Sequence, residues 1–376
     1  MFHNVYKGKR VFVTGHTGFK GSWLCAWLLS LGAEVTGYSR DIPTQPSHFE
    51  AMHLDEHIRD LRGDVRDRES LVAAMQEARP DIVFHLAAQA LVRLSYDRPV
   101  ETFEANVLGT LNVLEAVRST PSVQSLVLIT SDKCYRNDEQ VWGYRENDHL
   151  GGYDPYSASK GCAEIVAHSY FKSFFAHNGP ACATVRAGNV IGGGDWALDR
   201  IVPDCARAWA KGEAVRIRSP HATRPWQLVL EPLSGYLWLG ALLCEKDASR
   251  PFELSGEAYN FGPGAEVNNP VSDVVRGLAR HWQGFASEMD ESELVTRKEC
   301  TLLKLCCDKA LAYLGWKATL NFEETIRYTA EWYQRYYRGG GRDESMLSYT
   351  LGQISAYANA AAMRDQVWVG QEADRP

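Results

Sequence analysis

Tyr156 and Lys160 stand four residues apart in the run Tyr-Ser-Ala-Ser-Lys. On a helix that spacing puts both side chains on one face. A lysine ammonium beside a phenol stabilises the phenolate and lowers the tyrosine toward neutrality. Such a base suits removal of a proton from an alcohol while hydride leaves the carbon that carries it. Alone, the pair is a common surface arrangement. It gains meaning from Ser131, Asp132 and Lys133, which follow the apolar run at 126–129. In an open α/β sheet the C-terminal ends of strands are where ligands bind. A hydroxyl, a carboxyl and an amine stand together at one such end. The plainer reading of Asp132 is a turn carboxylate.

These residues need elements to position them. Val-Phe-Val at 11–13 reads as a strand buried on both faces. Gly15, Gly18 and Gly21 follow at intervals of three, and a strongly apolar helix with Trp23 and Trp27 runs over 22–31. Strand, glycine loop and helix start together make a pyrophosphate site, because the backbone can approach and the helix end offers free N–H groups. Gly15, Thr17, Gly18, Phe19, Lys20 and Gly21 are therefore candidate cofactor residues. Asp41, at the end of a second strand over 34–38, lies 20 residues beyond Gly21, where an acid meets the adenosine ribose. Arg40 beside it suits a 2′-phosphate instead. A third strand, 59–62, leads to Asp64 and Val65; Asp64 serves either the adenine amino group or a turn. A strand over 81–88 ends in the small pair Ala87-Ala88, followed by Gln89, and Thr130 closes the strand over 126–129. Helices are expected over 68–78, 99–119 and 156–177, and a further strand over 182–185 runs toward Asn189.

From Gly192 the pattern shifts to a glycine-rich loop and shorter elements, including a strand over 215–218 and a helix over 231–244. The fold class is α/β: a Rossmann doubly wound parallel sheet with a smaller C-terminal α/β substrate domain. The first domain spans 1–190, completed by part of 225–265. The second spans mainly 191–338. The tail over 339–376, rich in glycine, then alanine, then acids, reads as peripheral.

Length and composition exclude several classes. The chain has 376 residues, 45% hydrophobic and 23% charged, as in a globular protein. A net charge of −7 argues against nucleic acid and anionic membranes as partners. No apolar run approaches the ~20 residues of a membrane span. The first strand starts almost at once, so no signal peptide is expected. Nine cysteines without a C-x-x-C pair read as reduced thiols in a cytoplasmic protein, and no metal site is expected. His16 and His85 read as packing residues.

The glycine loop, Ser131, Tyr156 and Lys160 together resemble the extended short-chain dehydrogenase/reductase family over residues 9–190. The longer blocks TGHTGFKGSW, HLAAQALVRLSY, TSDKCY, GGYDPYSASKGCAE, RAGNVIGGGDWA and TRPWQLVLEPLSGY are similar to that family's nucleotide-sugar 4,6-dehydratases. The resemblance implies a retained NAD, CDP-glucose as substrate, and a homodimer or homotetramer built on helices around 97–118 and 156–177. It implies that Tyr156 takes the proton of the sugar 4-hydroxyl, that Ser131 holds this hydroxyl, and that Asp132 donates to the departing 6-hydroxyl. Relatives acting on dTDP-sugars carry Thr-Asp-Glu where this chain has Ser131-Asp132-Lys133, and their glutamate removes the C5 proton. Lys133 is thus the candidate base; the alternative is that it points away or only binds the sugar, with a water or another side chain as the base. Asn189 resembles a sugar-diphosphate ligand; Arg224, Arg216 and Arg218 are candidates for the diphosphate. Glu231 either holds a ribose hydroxyl or caps its own helix. Cytosine rests on the resemblance alone. The competing readings are a nucleotide-sugar 4-epimerase and a 4,6-dehydratase for another nucleotide-hexose. An NADP-linked reductase draws only on Arg40, and a cofactor sensor without catalysis has no use for Tyr156 and Lys160.

Overall fold

The structure is a computed structural model that describes residues 1–217, 219–245, 253–282, 287–289, 302–339 and 345–370. Six strands follow the sequence pattern: β1 (Arg10–Thr14), β2 (Glu34–Ser39), β3 (Arg59–Arg62), β4 (Ile82–His85), β5 (Ser125–Ile129) and β6 (Ala181–Arg186). With Glu257–Asn260 they form one seven-stranded sheet, in the order β3-β2-β1-β4-β5-β6 and then Glu257–Asn260. Every neighbouring pair is parallel. The strand order reverses between β1 and β4, which is the crevice where such sheets bind ligands.

β4 and β5 are buried along their whole length, which explains their continuous apolar runs. On one face the sheet packs against the helices Phe19–Ser30 and Leu230–Cys244, through Trp23, Trp27, Leu233 and Leu237. On the other it packs against Arg68–Ala78, Gly109–Arg118 and Pro155–Tyr170, through Leu71, Val113, Leu114 and Ala167. The helix expected over 99–119 is present from Pro99 to Arg118 and carries a π-type bulge in its middle. Pro99–Phe103 and Gly109–Arg118 are joined by a wide π-type turn, Glu104–Leu108. Beyond β6 the strand Val190–Ile191 pairs in parallel with Gln227–Leu228, and Thr223–Arg224 pairs antiparallel with Asn269–Pro270. No helix among the described residues is long and apolar enough to cross a membrane.

The expectation of a peripheral tail over 339–376 is corrected for its described stretch, residues 345–370. Helix Ser345–Ala362 buries Met346, Ile354, Tyr357 and Ala361. Trp368 is fully buried, stacks on Tyr357 at 5.7 Å and on Phe2 at 5.1 Å, and its carbonyl accepts the Phe2 N–H at 2.6 Å. Both ends of the chain therefore meet in one aromatic cluster against Trp27. Trp368→Ala is expected to lower stability by about 3–5 kcal/mol, read as a shift in the denaturation midpoint. A loss below about 1 kcal/mol would mean that this cluster is detachable from the core.

Candidate active site

The glycine loop leaves β1 at Gly15, whose φ of +77° suits glycine. A Cβ there would lie 2.6 Å from the Ala87 nitrogen, and one on Gly21 would lie 2.1 Å from the Gly15 oxygen. These contacts fold the loop tightly against β4. The helix Phe19–Ser30 then begins at Gly18 without any side-chain cap. Its first-turn N–H groups are open to an anion. A pyrophosphate fits this cradle, so the residues present suit a dinucleotide. Thr17 Oγ1 donates to the Asp41 carbonyl at 2.7 Å. Arg40 pairs with Asp41 at 2.9 Å and approaches Asp64 at 3.8 Å. Asp64 is held in turn by Arg66 at 2.7 Å. Val65 is buried against Gly109, where a Cβ would lie 2.7 Å from its Cγ2. Ala87 and Ala88 are half-buried beside the loop.

The reactive cluster lies at the adjoining strand end. Ser131 caps the short turn Asp132–Cys134: its Oγ accepts the Lys133 N–H at 3.2 Å and donates to Asp132 Oδ1 at 2.9 Å. Helix Pro155–Tyr170 is capped by Asp154, which accepts the Ser157 N–H at 2.9 Å. It brings Tyr156 close enough to Ser131 for that hydroxyl to favour the phenolate. Lys160 and Glu164 occupy the next two turns of the same face. Lys133 is half-buried.

The electrostatics correct one expectation. Lys160 does not hold the Tyr156 phenol near neutrality in the protein alone. Burial dominates and pushes the phenol up to about 12, with the Ser131 hydroxyl acting against it. Burial also pushes Lys160 down to about 8, opposed by Glu164. Lys20 falls to about 8 as well, first through burial and then through Arg200 and Lys160, with Asp132 and Asp195 pulling the other way. Lys20 therefore sits among the reactive groups as well as in the cofactor loop.

Two candidate cofactor side chains are engaged elsewhere. Thr130 turns its hydroxyl to Glu164 and to the Val185 carbonyl. Gln89 braces its own loop: Nε2 donates to the Leu91 carbonyl and Thr102, and Oε1 accepts the Leu91 N–H. Sequence reasoning missed the residues that hold this floor. Glu164 accepts from Thr184 at 2.7 Å and takes a bidentate pair from Arg186, both partners being 3% exposed. Its position four residues past Lys160 was the available signal. Asn106, set by the π-type turn, links the Gln89 carbonyl to Ser159. A cavity of about 630 Å³ opens beside this floor, lined by Glu164, Arg186, Glu257 and Lys309, but Ser131, Asp132, Tyr156 and Lys160 are not among its walls.

The candidate substrate residues divide. Asn189 adopts a φ of +53°, and its carbonyl accepts the Gln227 N–H at 3.2 Å. Arg224 is half-buried, with one guanidinium N–H on the Thr223 carbonyl at 2.8 Å. Arg216 is the exposed middle residue of Val215–Ile217, and Arg218 lies outside the described residues. Glu231 holds no ribose: it is 1% exposed, and accepts the Thr319 and Leu320 N–H groups and the Tyr357 hydroxyl. Burial pushes its carboxyl up to about 7. A carboxyl whose folded value is raised contributes fully below its unfolded value and loses that contribution as pH rises through the folded one. Stability should therefore fall between about pH 4.5 and 7, by on the order of 3 kcal/mol from this group. The difference in melting temperature between pH 5 and 8 should shrink in Glu231→Gln; an unchanged difference would dismiss Glu231 as its source.

Known proteins share this architecture. A family model described as GDP-mannose 4,6 dehydratase matches residues 12–329. The chain belongs to this family. It is 47% identical to the CDP-glucose 4,6-dehydratase of Salmonella typhimurium, over 95% of this chain and 98% of the relative. Among solved structures it resembles UDP-glucose 4-epimerase of Thermus thermophilus in complex with NAD, with a TM-score of 0.72, 27% identity, and 88% and 99% of the two chains covered. The fold also matches DesIV, a dTDP-glucose 4,6-dehydratase of Streptomyces venezuelae, with a TM-score of 0.71, 21% identity, and 89% and 99% covered.

Proposed function

We propose that this protein is an NAD-dependent lyase that converts CDP-glucose to CDP-4-dehydro-6-deoxyglucose and water. One observation carries the reading: the Tyr156–Ser131 pair has the Asp132 carboxyl hydrogen-bonded directly beside it. An alcohol base alone serves an epimerase; an acid next to it serves loss of a hydroxyl. The sequence identity over nearly the whole chain supports the same substrate.

Gly15, Thr17, Gly18, Phe19, Lys20, Gly21, Asp41, Asp64, Val65, Ala87 and Ala88 would hold the cofactor along the crevice. NAD supplies the hydride acceptor at C4, the hydride donor at C6 and, when oxidised, a positive ring charge that favours phenolate. Tyr156 takes the proton of the sugar 4-hydroxyl, and Ser131 holds that hydroxyl in line. Lys160 stabilises the phenolate from the next turn. The 4-ketone acidifies the C5 hydrogen, Lys133 removes it, and Asp132 protonates the departing 6-hydroxyl. Asn189 and Arg224 hold the diphosphate; a guanidinium is a planar fork for phosphate oxygens.

Lys133 is tested by Lys133→Met in deuterated water. C4 oxidation should survive, seen as reduced-nicotinamide absorbance, while solvent deuterium incorporation at C5 collapses. Normal incorporation would rule Lys133 out as the base.

Tyr96, Val100, Phe103, Leu108 and Ile165 expose apolar surface along one run of neighbouring helices. This face supports a homodimer, with a homotetramer as its doubling. Light scattering should return at least twice the chain mass of 42.1 kDa. The eight described cysteines are all free thiols, in keeping with a cytoplasmic location. The deciding experiment incubates the protein with CDP-glucose, and separately with UDP-, dTDP- and GDP-hexoses, and examines the sugar by NMR. A 6-deoxy-4-keto sugar from CDP-glucose is expected. An epimerised sugar, or preference for another nucleotide, would overturn the reading.

A further inference from the structure

Gln227 is 2% exposed, on the two-residue strand Gln227–Leu228. Its Nε2 donates to the Gly188 carbonyl at 3.0 Å and to the Phe261 carbonyl at 3.1 Å. Those two carbonyls fix the orientation of the amide, because the flipped amide would set oxygen against both. Oε1 is left buried without a hydrogen-bond partner. Buried acceptors are rarely left so. Gln227 also lines a small cavity together with Asp132, Gly188, Gly262 and Lys304. The cavity, about 10 Å³, has room for one water-sized group. Its lining thus includes Asp132, whose carboxyl is placed beside Ser131, and Gln227, whose Oε1 lacks a donor. A carbonyl oxygen cannot donate, so the group that satisfies Gln227 must carry a hydrogen.

We propose that this cavity receives the C6 oxygen of the substrate, and that Gln227 Oε1 accepts the hydrogen of that hydroxyl. The assignment rests on the dehydratase reading above and adds a substrate contact to it. With its hydrogen held by Gln227, the hydroxyl turns a lone pair toward Asp132. The Asp132 proton moves to the C6 oxygen, and the C6–O bond breaks with its electron pair on oxygen. The C5 proton leaves to the base, and its bonding pair becomes the C5–C6 double bond. The oxygen departs as water, one hydrogen from Asp132 and one its own. Gly188 belongs to the same device: its carbonyl anchors the amide, and its lack of a Cβ leaves room for the Asp132 carboxyl, since a Cβ would lie 1.9 Å from Oδ2.

The test compares wild type with Gln227→Leu on two substrates: CDP-glucose, and its analogue carrying fluorine in place of the 6-hydroxyl. C4 oxidation, read as reduced-nicotinamide absorbance, should proceed with both substrates and so report a folded, loaded enzyme. Elimination from CDP-glucose should slow by on the order of 10²-fold. Elimination of fluoride should stay within a few-fold of wild type, because fluorine brings no hydrogen for Oε1 to accept. Equal loss on both substrates would assign Gln227 a structural role and overturn the contact, as would no loss on either. Gln227→Asn, which keeps an amide but withdraws its oxygen by one methylene, should give the same pattern and replaces the leucine variant if that one does not fold. If wild type makes no 6-deoxy-4-keto sugar from CDP-glucose, the underlying reading has failed. If it does and both variants match it on that substrate, only this contact has failed.

Discussion

Tyr156→Phe should bind the cofactor normally yet lose on the order of 10²–10⁴-fold in turnover, the usual contribution of a positioned general base. The substitution removes one oxygen from a buried residue and leaves the ring that fills the space. Its helix stays capped by Asp154, and Ser95 still accepts the residue 156 N–H at 3.2 Å. Loss of folding is therefore not the expected cause. Both half-reactions should fail together, because the ketone that drives elimination never forms. The pH dependence has a sign. The base works as phenolate, and the protein alone, with burial as the largest cause, pushes the phenol up to about 12. Wild-type oxidation should thus speed up as pH rises, and the positive charges that accompany the bound cofactor should move that rise toward neutrality. The phenylalanine variant should show no such limb. Turnover within a few-fold of wild type would remove Tyr156 from the role of base.

Asp132→Asn should separate what Tyr156→Phe abolishes together. Asparagine keeps an Oδ1 to accept the Ser131 hydroxyl, which lies 2.9 Å from the carboxylate oxygen in the wild type, so Ser131 and Tyr156 keep their geometry. It cannot deliver a proton to the 6-hydroxyl. Reduced-nicotinamide absorbance should therefore rise on adding substrate and persist, while release of the 6-deoxy-4-keto sugar slows by on the order of 10²–10⁴-fold. Gly188→Ala should imitate it by a steric route, since its Cβ would enter the space of the carboxyl at 1.9 Å from Oδ2. If oxidation and product release slow equally in Asp132→Asn, the carboxyl acts before elimination or only structurally.

The candidate site was legible where the meaning of its residues is local. A glycine loop after a buried strand is fixed by backbone geometry over a few residues, so spacing exposed it, whereas a tyrosine and lysine one helical turn apart gained meaning only together with that loop and with Ser131 at a strand end. The parallel sheet was legible for the same reason: β4 and β5 are buried on both faces and must be apolar throughout. What spacing could not decide is which neighbour a polar side chain meets. Thr130 and Ser131 are adjacent at one strand end, yet successive side chains point to opposite sides. One hydroxyl meets Glu164 and the other meets Asp132 and Tyr156. Glu231 opens an apolar helix much as a ligand-binding acid would, but residues 319, 320 and 357 consume its carboxyl. The tail looked loose because alanine and glycine say little about burial; its place was set by Phe2 and Trp27 from the opposite end of the chain. Gln227 reads as an ordinary polar residue until Gly188 and Phe261 take its nitrogen and leave its oxygen without a donor, on a residue that lines a water-sized cavity together with Asp132. The sequence by itself determined the sheet, the glycine loop and the shared helix face of Tyr156 and Lys160, because those depend on local periodicity and backbone freedom. The tertiary structure alone decided the partners of buried polar groups, because a hydrogen bond between residues a hundred positions apart leaves no trace in spacing.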